Sequence, residues 1–373
     1  LQDGIFLTTE GNPEHVGADT DSGSEELNGA YDIEVIGDYA YIASVDDDGV
    51  EVMDISDPTS PTHVGAITDN GTTELDGAIG IEVVANYAYV TAANEDALQI
   101  LDISDSTNPK HVGAIDDTTC GASCYLDGAQ GLAVAGNYAY VASHPENGVS
   151  IFDISDPANP THVGSITDDA NTELNGPRAI VVQGTYAYVA SDGINLSGDG
   201  GISILDISDP TNPTHVGALT DSESPDNTAL KASYDIFVTG NYAYVAAEAD
   251  DGLSIVDISD PANPSQVGEI RDSGSRELDA PRGVFVAGNY AYVASITDDG
   301  VEVIDISDPT SPTHVGAITD DGTTELDGAR GIQVVGNYAY VTAYTDDGIE
   351  ILELSGTRTP TLEAGSVLAT SLS

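Results

Sequence analysis

Seven near-copies of one unit run the length of the chain, and that recurrence leaves few folds open. A Tyr-Ala-Tyr core starts at Tyr39, Tyr87, Tyr138, Tyr186, Tyr242, Tyr290 and Tyr338. An Asp-Ile-Ser core starts at Asp54, Asp102, Asp153, Asp206, Asp257 and Asp305, with Glu353-Leu354-Ser355 as a worn seventh copy. A third marker, His-Val-Gly, starts at His15, His63, His111, His162, His215 and His314, with Gln266-Val267-Gly268 as its variant. The Asp-Ile-Ser copies step by 48 to 53 residues. Units of about 40–50 residues with four strand-like segments each are the signature of a propeller blade.

One unit, from Gly80 to Ile115, shows the pattern. Gly80–Val84 alternates and reads as strand A, Tyr87–Thr91 as B, Leu98–Ile103 as C and His111–Ile115 as D. Tight turns separate A from B and B from C. Ser104–Pro109 breaks the chain before D, because proline fixes φ and removes a ladder donor. Tyr87 and Tyr89 share one face and Ala88 takes the other. Neighbouring blades can therefore interdigitate, rings against methyls. Strand C reads as apolar on both faces, as a strand covered on both sides should.

The ends predict how the ring closes. The chain opens with a lone D segment, residues 14–18, and finishes with a lone A–B–C set, residues 331–354. Residues 14–18 should complete the last blade and so remove an open sheet edge. The expected architecture is all-β: one seven-bladed propeller of four-stranded antiparallel blades over residues 12–355. Residues 1–11 and 356–373 form short extensions that carry the apolar runs Ile5-Phe6-Leu7 and Val367-Leu368-Ala369.

Glu51-Val-Met-Asp-Ile-Ser, Ser150-Ile-Phe-Asp-Ile-Ser and Ser254-Ile-Val-Asp-Ile-Ser resemble the LVIVD-repeat family of β-propellers. The resemblance covers nearly the whole chain. It implies the propeller fold and an exported or surface protein, and it brings no reaction and no catalytic residues.

Charge narrows the partners. The 373 residues hold 64 Asp plus Glu against 8 Lys plus Arg, a formal charge of −56. Nucleic acids and anionic membrane surfaces need clustered Lys and Arg, so neither is an expected partner. Cation binding, a saline medium or simple solubility fit better. No apolar run is long enough to span a bilayer as a helix. The chain begins at Leu1 rather than Met and reads as a mature or trimmed chain, after export. Cys120 and Cys124 lack the further soft ligands of a zinc site and are expected to form a local disulfide, in keeping with an oxidising compartment. Asn70 and Asn195 head glycosylation sequons.

Candidate chemistry lies on one face. The D-to-A and B-to-C loops share it and carry most of the acids, as in Asp46-Asp-Asp-Gly49 and Asp298-Asp-Gly300. Clustered carboxylates suit Ca²⁺, and the best candidate is the long loop with Asp192, Asn195 and Asp199. Against this, Asp-Gly is also ordinary turn chemistry that supplies a positive φ. The six repeated His and the recurring Asp-Ile-Ser acids read as structural, because a single active site needs one special blade; His144 stands apart as a lone loop residue. The residue before strand A does vary: Tyr31, Ile79, Gln130, Arg178, Tyr234, Arg282 and Arg330. Strand A is innermost in a propeller, so these residues should ring the channel mouth. Three of the six arginines lie there, either to bind an anionic ligand or to neutralise acids such as Asp279 and Asp327.

No nucleophile–base motif, phosphate loop or zinc-helix motif is present. The expected function is that of a non-catalytic extracellular or cell-surface module, structural or adhesive, needing no cofactor beyond possible Ca²⁺. Its partners would be other surface proteins, glycans, or copies of itself joined head to tail through the terminal segments. The alternative is an enzyme or a carbohydrate- or anion-binding protein that uses the channel mouth. A deep pocket there with buried carboxylates of raised pKa favours the alternative.

Overall fold

The computed structural model describes residues 12–354, apart from 24, 170, 171, 173, 194–199, 222–227 and 275. The terminal segments invoked for self-assembly therefore lie outside the described residues, as do Asn195 and Asp199. Seven four-stranded antiparallel sheets form a closed ring, nearly free of helix. Blade 1 consists of Ala30–Ile36, Tyr39–Ser44, Gly49–Asp54 and Thr62–Thr68, strands A to D. The other strands A are Ala78–Val84, Ala129–Ala135, Pro177–Gln183, Ser233–Thr239, Pro281–Ala287 and Ala329–Val335. Strand Glu14–Thr20 pairs with Gly348–Glu353 and supplies strand D of blade 7, the closure expected from the ends.

Large residues of one blade meet small residues of the next. Tyr41, Val50 and Val52 of blade 1 pack on Ala78, Ile81, Ala88 and Val90 of blade 2, and the same contact recurs around the ring. Strand C departs from expectation. Its central residue is polar and fully buried: Glu51, Gln99, Ser150, Ser203, Ser254, Glu302 or Glu350. All of these side chains but Ser254, whose hydroxyl has no partner among the described residues, anchor the D-to-A loop. Glu51 accepts from the Glu26 amide (3.1 Å), Gln99 from Glu74 (2.9 Å) and Glu350 from Glu325 (3.1 Å). A buried polar atom needs such a partner.

Four of the six repeated His pack on the buried central residue of a strand C, three of them on a carboxylate. His15 and His63 contact Glu350 and Glu51 at 2.5 Å, His314 contacts Glu302, and His111 contacts Gln99. The Asp of Asp-Ile-Ser caps its turn, as when Asp54 accepts the Ser56 amide at 2.9 Å. In the B-to-C turns the positive φ falls on Asp rather than Gly: Asp48, Asp96, Asp251, Asp299 and Asp347 have φ of 49–56°. Each reaches the next blade. Asp48 accepts the Gly77 amide (2.9 Å), Asp96 that of Gly128 (2.9 Å), and Asp347 that of Gly29 (3.0 Å) across the closing seam. The neighbouring glycine serves close approach instead, since a Cβ on Gly49 would meet the Ile67 carbonyl. A large share of the acidic face is thus blade-to-blade stitching. Cys120 and Cys124 are disulfide-bonded, with Cα atoms 5.8 Å apart, around the short helix Asp117–Cys120. Asn70 is exposed in its turn.

Candidate ligand site in the central channel

A cavity of about 350 Å³ runs down the centre, walled by the seven strands A. Each strand A carries a β-bulge at its second residue, as between Ala30 and Asp32 or Ser233 and Asp235. A bulge re-aims a side chain. It turns Tyr31, Ile79, Gln130, Arg178, Tyr234, Arg282 and Arg330 into the mouth, where the sequence placed them.

There they assemble into one structure. Tyr31 and Tyr234 come from blades 1 and 5, yet their hydroxyls lie 2.7 Å apart and bar the channel. Arg178 and Arg282 stack over the Tyr234 ring at 4.9 and 4.6 Å. Arg330 stacks between Tyr31 (4.4 Å) and Tyr344 (4.5 Å). Such cation–π contacts fix guanidinium planes while leaving their edges free.

The expected neutralisation by Asp279 and Asp327 does not occur. Arg178 donates to Asp192 (2.7 Å) and Gln130 (2.9 Å), and Arg282 donates to Glu248 (2.8 Å). Arg330 has no ion-pair partner among the described residues, and its buried Nε has no hydrogen-bond acceptor. Asp192, a calcium candidate in the sequence, is instead engaged by two side chains: the Arg178 guanidinium at 2.7 Å and the His144 ring at 3.0 Å. Burial alone would raise its pKa, but His144 and Arg178 outweigh that and hold the carboxyl below its usual range. A carboxylate so engaged has little to offer Ca²⁺. His144, expected to stand alone, is half-buried and helps set Arg178 through Asp192.

Below the mouth the walls turn acidic. Asp32 accepts the Ile81 amide of blade 2 (3.0 Å), and Asp235 accepts the Val284 amide of blade 6 (2.8 Å). Burial pushes Asp32 up to about 7 and Asp235 to about 6. Burial, then repulsion from Glu82, pushes Glu34 to about 8; burial, then Asp32, pushes Glu82 to about 7. A deep pocket lined by carboxylates that burial raises, the feature expected of an enzyme or a ligand-binding protein, is therefore present. In four of the other blades the residue beside the aspartate level is Gly80, Gly131, Gly283 or Gly331, where a Cβ would strike the next blade's backbone.

The calcium question has a direct measurement. Mass action on a specific site makes millimolar Ca²⁺ raise the melting temperature more than Na⁺ at equal ionic strength. The stitching role of the turn aspartates predicts equal effects, from screening alone.

Solved structures confirm the architecture and, at their low identity, the fold alone. Hydrazine synthase of Kuenenia stuttgartiensis is 17% identical with a TM-score of 0.66, covering 88% of this chain and 96% of that one. Virginiamycin B lyase from Staphylococcus aureus is 10% identical (TM-score 0.63; 91% and 98% covered). The β-propeller domain of Swd1 from Myceliophteria thermophila is 12% identical (0.64; 91% and 100%). No curated protein matches the sequence. The LVIVD-repeat profile matches residues 29–69, 77–117, 128–168, 177–221, 232–272, 280–320 and 328–365, one match per blade, and the chain belongs to the LVIVD-repeat family.

Proposed function

We propose that this propeller is a non-catalytic, extracellular or cell-surface recognition module whose arginine–tyrosine channel mouth grips an anionic group, as on an acidic glycan or the carboxylate of a partner protein. Of the two readings the sequence supports, the geometry favours ligand binding. The observation that carries it is Arg330, stacked between two tyrosines, with no ion-pair partner and no acceptor for its Nε among the described residues. A charged donor left open at a cavity is a binding group, since a carboxylate there gains charge-assisted hydrogen bonds at planes already fixed. Asp192 and Glu248 hold Arg178 and Arg282 in place around it. The Cys120–Cys124 disulfide suits an oxidising compartment.

Titration calorimetry with glucuronate as the probe tests this. Arg330→Ala should weaken binding by about 10- to 100-fold, the worth of one charged hydrogen bond of ~1.5–3 kcal/mol. Because the chain carries a charge of −56, raising the salt from low concentration should at first strengthen binding by screening the repulsion. An unchanged affinity in Arg330→Ala, or no binding by the wild type, sinks the reading.

A further inference from the structure

The opposite end of the channel is built differently. Three residues along strand A from the mouth, about 10 Å by strand rise, the walls form an asymmetric belt. Gln333, Glu34 and Glu82 of blades 7, 1 and 2 make its polar side. Phe237 and Phe285 of blades 5 and 6 make the other, their rings 4.9 Å apart. Ala133 and Val181 of blades 3 and 4 are small and leave the space between. Two residues further on, at the rim, the polar side is followed by Ile36, Val84 and Val335, the exposed large hydrophobic residues of the described chain. They stand on the same three consecutive blades as the polar belt.

The carboxylates here are under-used. Glu34 accepts one hydrogen bond from the Gln333 amide (3.2 Å), and Glu82 accepts none from a described residue. Neither has an arginine, lysine or histidine partner among the described residues. Two acids alone would say little. Here they face an aromatic pair across an open cavity and sit just inside an apolar half-rim. That combination matches one chemistry: a cationic nitrogen that carboxylates and aromatic faces both attract, on an aliphatic stem that the rim covers.

We propose that this end of the channel binds an alkylammonium group, its nitrogen between Glu34 and Glu82, its carbons against Phe237, Phe285 and the rim of Ile36, Val84 and Val335. A free aliphatic amine and a lysine side chain of a partner protein share this chemistry. The site is independent of the arginine mouth, so either can fail without the other.

The two carboxyls hold protons near neutral pH, and the titratable groups facing them are Asp32 and, beyond it, Asp235. An entering cation displaces protons, and its affinity rises with pH. The test is calorimetry on the full chain with butylammonium chloride and with acetyl-lysine methylamide, against NaCl at equal ionic strength. The expected results are saturable binding of at least one probe at pH 8, heats that depend on the buffer's ionisation enthalpy, and at least tenfold weaker binding at pH 5. Glu82→Gln, which breaks no hydrogen bond between described residues, should lower the affinity about tenfold. Preference between the probes distinguishes a free amine from a partner's lysine. Binding no tighter than sodium's, or equal affinity in Glu82→Gln and Glu34→Gln, overturns the proposal.

Discussion

Raising the pH from about 5 to about 8.5 is expected to lower the melting temperature, and Glu34→Gln combined with Glu82→Gln should remove much of that fall. Asp32, Glu34, Glu82 and Asp235 keep their protons in the folded channel up to about 7, 8, 7 and 6. The unfolded chain releases them near the ordinary carboxylate values of 3.8 and 4.5. Between these limits the folded state binds more protons, so stability present below the unfolded values is lost as pH rises through the folded ones. A tenfold difference in proton affinity between folded and unfolded chain is worth about 1.4 kcal/mol per group, and in a large domain about 1 kcal/mol moves the melting temperature by ~2 °C. A fall of several degrees therefore needs only a fraction of what the four carboxyls can contribute. Capped surface acids such as Asp54, Asp57 and Asp308 have lowered values and act in the opposite sense, but only in stronger acid. The general repulsion of a chain at −56 also grows with pH, so the double variant is the discriminating control. It should be more stable than wild type at pH 8.5, by ~1–3 kcal/mol on the scale of replacing buried charge with neutral groups, and nearly equal at pH 5. A parallel pH profile for wild type and variant would remove the channel carboxyls as the cause.

Gly283→Ala should be among the most damaging single-methyl changes in the ring. Gly283 lies in strand A of blade 6, and a Cβ there would fall on the carbonyl oxygen of Arg330 in blade 7. Backbone cannot swing aside as a flexible side chain does, so the innermost strands of two blades must part. Overpacking of this kind costs ~1–3 kcal/mol. The displaced carbonyl belongs to Arg330, so the change should also weaken glucuronate binding at the mouth. Gly288→Ala makes a useful contrast. That glycine has nothing within 4 Å of its added methyl and only a φ of +61° to accommodate, so it should cost stability while sparing binding. Thermal unfolding and calorimetry on the two variants separate crowding from backbone strain.

How much of this was legible depended on whether a residue's role lay in its own repeat. The markers at Tyr290 and Asp305 fixed blade number, strand order and closure, because each strand's faces and turns are set locally. The channel mouth was legible for the opposite reason: Arg178, Arg282 and Arg330 break a repeat that is otherwise regular. Three things were not. Glu34 and Glu82 sit in ordinary polar–apolar alternation, which in most sheets marks a solvated face; on the innermost strand it marks the channel. Glu51 and its equivalents were hidden by the apolar residues around them, though in blades 1 to 6 each lies twelve residues before the His or Gln of its strand D. The His144–Asp192 pair spans 48 residues, close to one repeat, so equivalent loops of adjacent blades meet. Reading loop against loop at the repeat spacing would have found it.

The seam at blade 7 also sets how the ring meets mechanical load. Glu14 lies opposite Glu353, and Thr20 lies opposite Gly348. Both strand ends that lead out of the propeller therefore sit at the same end of one antiparallel ladder. Tension applied through whatever flanks them pulls across that ladder, and its hydrogen bonds are loaded one at a time from Glu14 inward. The arrangement peels like a zipper instead of resisting in shear. The first event under load is loss of strand Glu14–Thr20, which exposes the edge of Gly348–Glu353 while the other six blades keep their sheets intact.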